Sequence, residues 1–256
     1  MDPETAAIRP GFAAAAGRVD AVAGDGGLVL VPALLMAFPT LPPAIALGTT
    51  KLTVITETSV TAITYARRAG LDPYIALPAA GLAISLAGIG AAAASSLPAD
   101  RFRSLIMALL IGVAAFVTPR PGPGSVIEDA DVVSKRRKLT AVSLPGCGIG
   151  FHDGVFGPGT GTLLVMSFTG LLPMELLHSS AVAKAVNAGR DIGALTVFAV
   201  QGHILWPLGA GTAVCNIAGA ALRARTALKR GSRFVRGVLL VVVGALVIKL
   251  ADDRWG

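Results

Sequence analysis

Charged residues are scarce in this chain: Asp, Glu, Lys and Arg together make up 14% of its 256 residues. A soluble domain carries about a quarter of its residues as charges, which keep its exterior in water. The scarcity therefore excludes an ordinary soluble domain. Hydrophobic residues reach 54% and the mean hydropathy is +0.71. This composition predicts an all-α, multi-pass integral membrane protein that has the lipid bilayer as its partner.

Aromatic residues and cysteines are also few. Aromatic residues account for 5% of the chain, so helix packing must rely on Gly and Ala, which let helices approach closely in lipid. Helix faces of this kind also suggest a homodimer. Cys147 and Cys215 lie in apolar stretches without CxxC spacing or a neighbouring histidine in register. We expect buried thiols rather than a disulfide or a metal site.

Several motifs are missing as well. Residues 1–10 contain Asp2 and Glu4 but no basic region before a short apolar core, so we expect no cleavable signal peptide. No GxxxxGK[ST] motif is present, so transport would depend on gradients. No Ser or Cys stands near a His as a nucleophile–base pair would require, so we do not expect an enzyme. We expect no cofactor, and we attribute the net charge of +7 to membrane topology rather than to nucleic-acid binding.

Long apolar stretches fill most of the chain. A transmembrane helix needs about 20 apolar residues, and several stretches meet or approach that length: Pro43–Ala66, Ile75–Leu97, Phe102–Thr118, Leu176–Val200, Trp206–Leu222 and Phe234–Leu250. Two further apolar regions, Gly11–Phe38 and Leu139–Pro173, contain glycine-rich interruptions. The first is cut at residues 24–27, and the second at Gly154 and at residues 157–161. Each region is predicted to form two short helices joined by a break, which at membrane depth requires surrounding protein or a water-filled cavity.

The two broken regions are copies of one another. A shift of 133 residues aligns several pairs of identical residues: Asp20 with Asp153, Val22 with Val155, Gly24 with Gly157, Gly26 with Gly159, Leu30 with Leu163 and Lys51 with Lys184. The sequence therefore predicts two transmembrane repeats, residues 1–118 and 139–256, joined by a cytoplasmic linker at residues 119–138.

The distribution of basic residues indicates how the repeats are oriented. If each broken region crossed the membrane once, the loops on the two sides would carry seven and eight Lys and Arg residues. If each is a hairpin that returns to its own side, the counts become thirteen and two. The second arrangement satisfies the positive-inside rule. It gives five segments per repeat, so the repeats are inverted, as in many transporters. Both termini then lie on the non-cytoplasmic side.

Two lysines are the leading candidates for a binding site, because ionisable residues inside spans are costly and mark functional sites. Lys51 and Lys184 occupy equivalent positions, each following a hairpin, so both should approach the pseudo-two-fold axis near the membrane midplane. Two converging cations would bind an anion. Under the alternative, each lysine neutralises a nearby carboxylate, Lys51 with Asp20 or Glu57 and Lys184 with Asp153.

The glycine breaks are predicted to complete this site. Free backbone N–H groups and helix N-termini bind oxyanions, and neighbouring Thr and Asn side chains add polar groups. The candidate substrate-binding residues are Lys51, Lys184, Gly26, Gly27, Thr49, Thr50, Gly159, Thr160, Gly161 and Asn187. The candidates for a coupling proton are Asp20, Glu57, Asp153 and Asp191. Arg190 and Asp191 are expected to form an internal ion pair rather than to contact a ligand.

The same segments resemble the TauE/SafE sulfite-exporter (TSUP) transporters over nearly the whole chain. The resemblance rests on Val19–Leu28, Val31–Leu35, Leu47–Leu52, Gly150–Thr162, Ala183–Asn187 and Gly202–His203. It implies a polytopic plasma-membrane (inner-membrane) carrier of sulfite, sulfonates such as sulfoacetate, or related small organic anions. The chain departs from the family pattern where Asp25 replaces a glycine, Thr50 an asparagine, and Arg190-Asp191 a small polar pair.

Together these observations predict an inverted-repeat secondary transporter that exports a small sulfur-containing anion. Two alternatives stay open at this point. One is a membrane enzyme or scaffold subunit that transports nothing, and the other is a related carrier of a different small organic anion. A scaffold would not need paired lysines at membrane depth, and a hydrolase would need a nucleophile–base pair.

Overall fold

The computed structural model describes residues 27, 30–38, 40–98, 102, 134–157, 160–172, 174 and 176–217. Every regular element in these ranges is helical, which confirms the predicted all-α class. The helices are α1 (Leu30–Ala37), α2 (Pro43–Ala69), α3 (Pro73–Ser96), α4 (Lys135–Ser143), a π-helical turn (Leu144–Ile149), α5 (Gly150–Phe156), α6 (Thr160–Leu171), α7 (Leu176–Val200) and α8 (residues 206–217). The count of spans and the inverted repeat stay predictions.

Three of the predicted spans coincide with α2, α3 and α7. The agreement is close because prolines and glycines mark the helix ends. Pro43 and Pro73 each stand at the start of a helix, where a missing N–H is harmless. The side chain of Asp72 caps α3 by accepting a hydrogen bond from the backbone N–H of Tyr74 at 3.0 Å. Gly70 separates α2 from α3 with φ +74°, a conformation that glycine adopts without strain.

Other predictions are only partly covered. α8 begins at Trp206, where the fifth apolar stretch was expected to begin. The stretch Phe234–Leu250, nearly all of Phe102–Thr118, and the residues Asp20, Asp25 and Gly26 lie outside the described residues. α4 begins at Lys135, capped by Ser134, and so starts inside the segment predicted as a linker.

The second broken region differs from the prediction at one of its two breaks. Gly154 does not interrupt a helix but lies within α5, where a Cβ atom would stand 2.1 Å from the carbonyl oxygen of Ala87. Its role is close packing on α3. The chain leaves the helix at Gly157, which has φ +85°. Helical structure resumes at Thr160, so the predicted hairpin break falls between α5 and α6.

By length and composition, one of the described helices, α3, could cross a bilayer. Its best window has a mean hydropathy of 1.9 and is 44% buried within the protein. Its exposed side carries large apolar residues, among them Leu77, Ile84 and Ile89. The long helices α2 and α7 carry buried charges instead, which lower their hydropathy without shortening them.

α3 and α7 form the centre of the described structure. α3 packs along α7 and also against α5 and the π-helical turn, while α2 packs on the other side of α7. α2 and α7 come from the two predicted repeats, so the repeats share one interior. Gly48 of α2 lets the helix approach the segment after α7, since a Cβ atom there would stand 2.1 Å from the carbonyl oxygen of His203.

Candidate functional site

Lys51 lies at the contact between three helices. Its ammonium group on α2 forms ion pairs with the carboxylates of Asp153 on α5 and Asp191 on α7. The Nζ–Oδ1 distance to Asp191 is 2.8 Å. The three residues are 3%, 0% and 0% exposed respectively. Lys51 therefore links the first predicted repeat to two separate elements of the second.

Arg190 and Thr160 extend this group on the other side of Asp153. The Nη1 atom of Arg190 lies 3.2 Å from Oδ1 of Asp153 and also donates a hydrogen bond to the hydroxyl of Thr160. That hydroxyl in turn donates to Oδ1 of Asp153 at 2.9 Å. Asp153 thus presents one carboxylate oxygen to Lys51 and the other to Arg190. We call Lys51, Asp153, Thr160, Arg190 and Asp191 the buried ion cluster.

The ionised side chains of the buried ion cluster balance: two cations and two carboxylates sum to zero. Burying a charge carries a desolvation penalty of several kcal/mol even after relaxation, roughly offset when each ion has a partner of opposite sign. Removing one member leaves an uncompensated buried charge. The cluster is therefore sensitive to anything that changes its net charge, including a proton or an anion.

Three polar atoms beside the cluster lack hydrogen-bond partners among the described residues. They are Nε of Arg190, Oδ2 of Asp191 and Oδ1 of Asn187. Asn187 precedes Asp191 by one turn on the same face of α7 and is 3% exposed. A buried polar group without a partner is unfavourable by about 1–3 kcal/mol. The region beside Arg190 and Asp191 therefore has hydrogen-bonding capacity that a small polar ligand or water could satisfy.

The hydroxyl groups of the predicted α2 threonines form hydrogen bonds within the protein. Thr49 accepts a hydrogen bond from the backbone N–H of Leu205 at 3.1 Å, and Thr50 donates to the carbonyl of Ala46 at 2.8 Å. Gly27, with φ +100°, lies against Thr50: a Cβ atom there would stand 2.7 Å from the threonine methyl group. The structure thus brings Gly27, the last residue of the first glycine break, next to Thr50 on α2, one residue from Lys51.

The observed ion pairs differ from the ones considered from the sequence. The described partners of Lys51 are Asp153 and Asp191, not Glu57 from its own repeat. The described ion-pair partners of Asp153 are Lys51 and Arg190, not Lys184. The expected pair between Arg190 and Asp191 is also wrong, because each residue binds a partner on another helix. The predicted equivalence of the two repeats suggested ion pairs within each repeat. The structure instead pairs a carboxylate of one predicted repeat with a lysine of the other.

Lys184 occupies a different level of α7 from the cluster. It is half-buried and precedes Asp191 by seven residues, which is about 10 Å along the helix axis. Glu57 is 6% exposed and lies about 9 Å beyond Lys51 on α2 by the same measure. Thr160 belongs to the cluster and Asn187 adjoins it on α7, whereas Gly159 lies outside the described residues.

Arg190 is the functional residue that the sequence reasoning undervalued. It was assigned to a local pair, yet it is 1% exposed and contacts Asp153. The shift of 133 residues places it opposite Glu57, and Asp191 opposite Thr58. That loss of symmetry in charge was the signal that could have set these two positions apart from their counterparts in the first predicted repeat. Cys147 and Cys215 are free thiols, each half-buried rather than fully buried.

Comparisons with known proteins identify the family. A family model described as sulfite exporter TauE/SafE matches residues 11–250. The chain belongs to the TauE/SafE family. It is 35% identical over 238 residues to a "probable membrane transporter protein ORF9" of Sinorhizobium sp., a match that covers 93% of this chain and 89% of the relative. No solved structure matches the chain.

Two further TauE/SafE relatives show the same extent of similarity. The "probable membrane transporter protein YfcA" of Escherichia coli K12 is 29% identical, with 94% of this chain and 87% of the relative covered. A "probable membrane transporter protein" of Haemophilus influenzae is 30% identical, with 92% and 90% covered. The family and these relatives support the predicted membrane location and transport function, and their descriptions are of transporters rather than enzymes.

Proposed function

We propose that this TauE/SafE protein is a secondary transporter that exports a small sulfur-containing anion, either sulfite or an organosulfonate such as sulfoacetate. One observation carries the proposal. Two buried cations, Lys51 and Arg190, come from different predicted repeats and meet at a single carboxylate, Asp153. An anion that binds between them would contact both repeats at once, which is where a carrier with alternating access needs its substrate.

The carboxylate of Asp153 indicates what kind of ligand fits. It offers one oxygen to Lys51 and the other to Arg190, and it receives a hydroxyl hydrogen bond from Thr160. A sulfite or sulfonate group carries three oxygens around one sulfur and can present two of them in the same way. Charge-assisted hydrogen bonds of this type are stronger than neutral ones. The Asp153 carboxylate thus occupies the place that we propose for the oxyanion.

The other candidate residues take supporting places in this proposal. Lys184 provides a third cation, about 10 Å along the axis of α7 from Asp191. Gly157, where the chain leaves α5, and Gly161, in the first turn of α6, give the backbone freedom to move when Asp153 releases its partners. Asn187 adds a polar side chain next to Asp191. The driving force is a concentration gradient, that of the anion itself or of a coupled ion.

Flux into proteoliposomes tests the function. Purified protein should take up labelled sulfite or sulfoacetate above the level of empty liposomes. Lys51→Gln should lower the affinity about tenfold to more than a hundredfold, since loss of one charge-assisted hydrogen bond corresponds to about 1.5–3 kcal/mol. Lys135→Gln is the matched control, because Lys135 is an exposed residue at the start of α4, and it should transport like the wild type.

Three results would redirect the proposal. Absence of flux for every sulfur anion, in folded protein, would favour the scaffold or enzyme alternative. Flux of carboxylates in preference to sulfonates would favour a carrier of another organic anion. Wild-type affinity in well-folded Lys51→Gln protein would remove Lys51 from the site.

The inverted topology needs a test of its own. Single cysteines are introduced at Ser125, Ser232 or Ser96 in a variant that lacks Cys147 and Cys215, and are labelled in intact cells. Under the proposed arrangement, positions 125 and 232 react only from the cytoplasm, and position 96, at the end of α3, only from outside. Labelling of position 232 from outside together with position 125 from inside would exclude the inverted repeat.

A further inference from the structure

We propose that Asp153 is the proton-carrying residue of transport: its carboxylate competes with the substrate anion for Lys51 and Arg190, and it takes up one proton for each monoanion that binds. The inference rests on the proposed anion transport. It assigns to one residue the coupling that the sequence left open among four carboxylates.

Both cations of the buried ion cluster are occupied before an anion binds. In the structure, both cations already have a carboxylate partner, and Asp153 is the partner that they share. An anion can take the place of Asp153 between Lys51 and Arg190 only if the carboxylate withdraws from them. Asp191 is less suited to this role, because its described ion pair is with Lys51 alone.

The net charge of the cluster links the anion to a proton. The buried ion cluster has zero net charge, and its members are between 0% and 3% exposed. A monoanion that enters without a proton would leave one uncompensated negative charge in a buried site, with a penalty of several kcal/mol. If a proton from the open side binds the Asp153 carboxylate as the anion arrives, the net charge returns to zero. The proton leaves Asp153 on the other side when the anion dissociates and the carboxylate again pairs with both cations.

Groups from several helices surround Asp153. Lys51 faces Asp153 from α2, Arg190 from α7 and the hydroxyl of Thr160 from α6, while Asp191 on α7 shares Lys51 with it. His152 adjoins it on α5 and is half-buried against Phe156. α3, which packs on the same helix, carries no charged side chain in its sequence. Among the described groups, protonation of Asp153 is therefore the change that releases both cations at once.

Arg190 has a hydrogen-bond donor that the described residues leave unused. Nε of Arg190 is buried and has no hydrogen-bond partner among the described residues. When Asp153 is protonated and gives up its contact with Nη1, the guanidinium group has two N–H groups for an oxyanion. Thr160 can keep its hydrogen bond to the neutral carboxyl group. The released state is therefore matched to a ligand with several acceptor oxygens.

The experiment uses two monoanions, isethionate and hydrogen sulfite in mildly acidic buffer, with full-length protein in liposomes that contain a pH-sensitive dye. Wild-type protein should take up about one proton per anion, and the flux should follow a pH gradient and ignore the membrane potential. Asp153→Asn imitates the protonated carboxyl group. It should transport the anion with no proton, so that the flux now follows the membrane potential and ignores the pH gradient.

Asp72→Asn is the matched control. It makes the same chemical change at the cap of α3, where Asn is as good a cap as Asp, and should keep the ratio of about one proton per anion. If Asp153→Asn does not fold, the wild-type ratio and its response to the membrane potential decide the matter alone. Wild-type flux that moves no proton and follows the potential would overturn the role of Asp153 while leaving the proposed function intact. No flux of either anion would overturn both.

Discussion

The two faces of α7 contact their neighbours through different interactions, one through charges and the other through close packing of glycines. Asn187 and Asp191, one turn apart, belong to the face that meets Lys51 and is governed by charge. Gly189 and Gly193, also one turn apart, belong to the face that meets α3. The two pairs are offset by two residues, which is about 200° around a helix, so they point in nearly opposite directions.

The glycine face depends only on distance. A Cβ atom at Gly193 would stand 2.0 Å from the carbonyl oxygen of Ile84, and one at Gly189 would stand 3.0 Å from that of Ala80. This contact contains no charge, so protons and anions do not alter it. The charged face depends on a balance of two cations and two carboxylates, which a single proton disturbs. α7 therefore provides a fixed attachment on one side and a responsive site on the other.

The largest expected effect tests the charged face. Lys51→Gln leaves two carboxylates and one cation in the cluster and removes the described partner of Asp191, and breaking a buried ion pair by removing one partner destabilises a protein by about 3–5 kcal/mol. Adding Asp191→Asn restores a neutral cluster, so the double variant should melt at a higher temperature than either single variant. Adding Glu57→Gln instead should give no such rescue, because the described partners of Lys51 do not include Glu57.

Thermal melting of the purified variants in detergent measures this difference. The exposed Lys135→Gln variant should melt like the wild type and so controls for loss of a positive charge. A double variant Lys51→Gln/Asp191→Asn that melts below both single variants would show that the two side chains do not act as a pair, and would break the contrast between the faces.

The next effect, somewhat smaller, tests the glycine face. Gly193→Ala forces α3 and α7 apart, since the new methyl group meets backbone rather than a flexible side chain. Overpacking of this kind destabilises by about 1–3 kcal/mol, and here it should reduce the yield of monodisperse protein at every pH. Gly81→Ala is the matched control, because a Cβ atom there meets no atom within 4 Å, and it should melt at or above the wild-type temperature.

A pH-dependent defect in Gly193→Ala would contradict the contrast. The glycine face has no titratable group, so its loss should lower the melting temperature by a constant amount across the pH range. The Lys51→Gln defect should vary with pH, because protonation of a carboxylate relieves the excess negative charge. Melting curves of both variants over the same pH series separate the two behaviours.

The sequence predicted the long helices well because their limits are local. The apolar run of α7 is bounded by Pro173 and Gly202, and the prediction Leu176–Val200 agrees with the observed helix. Gly154 was misassigned for a physical reason: a glycine inside a helix can serve close packing as well as a break. Only the position of Ala87 on α3, more than sixty residues away in the sequence, distinguishes the two roles.

The candidate site was predictable in part. The high cost of a charge at membrane depth identified Lys51 and Asp153 without a structure. Their pairing could not be predicted in the same way, because Lys51 is 102 residues from Asp153 and 140 from Asp191. Which carboxylate neutralises which cation depends on how α2, α5 and α7 meet. The repeat symmetry suggested separate pairs, and the asymmetric charges at Arg190 and Asp191 produced a shared cluster.

The smallest expected effect concerns a neutral polar contact on the other side of α2 from Lys51. Thr53 on α2 and Thr212 on α8 share a hydroxyl hydrogen bond of 2.6 Å, and both residues are buried. Thr212→Val keeps the shape of the side chain and removes the bond, which should destabilise by about 1 kcal/mol. Thr53→Val should have a similar effect, and the double variant should lose less than the sum, because the contact they share can be lost only once.

Substrate affinity supplies the sharper measurement for this pair. The hydroxyl contact joins α2 to α8 without altering the charge of the buried ion cluster. Thr212→Val should therefore lower the melting temperature slightly and leave both the anion affinity and the number of protons per anion unchanged. Loss of proton coupling in this variant would mean that α8 belongs to the responsive part of the protein. The responsive region would then extend from the charged face of α7 across α2, and charge balance alone would not define it.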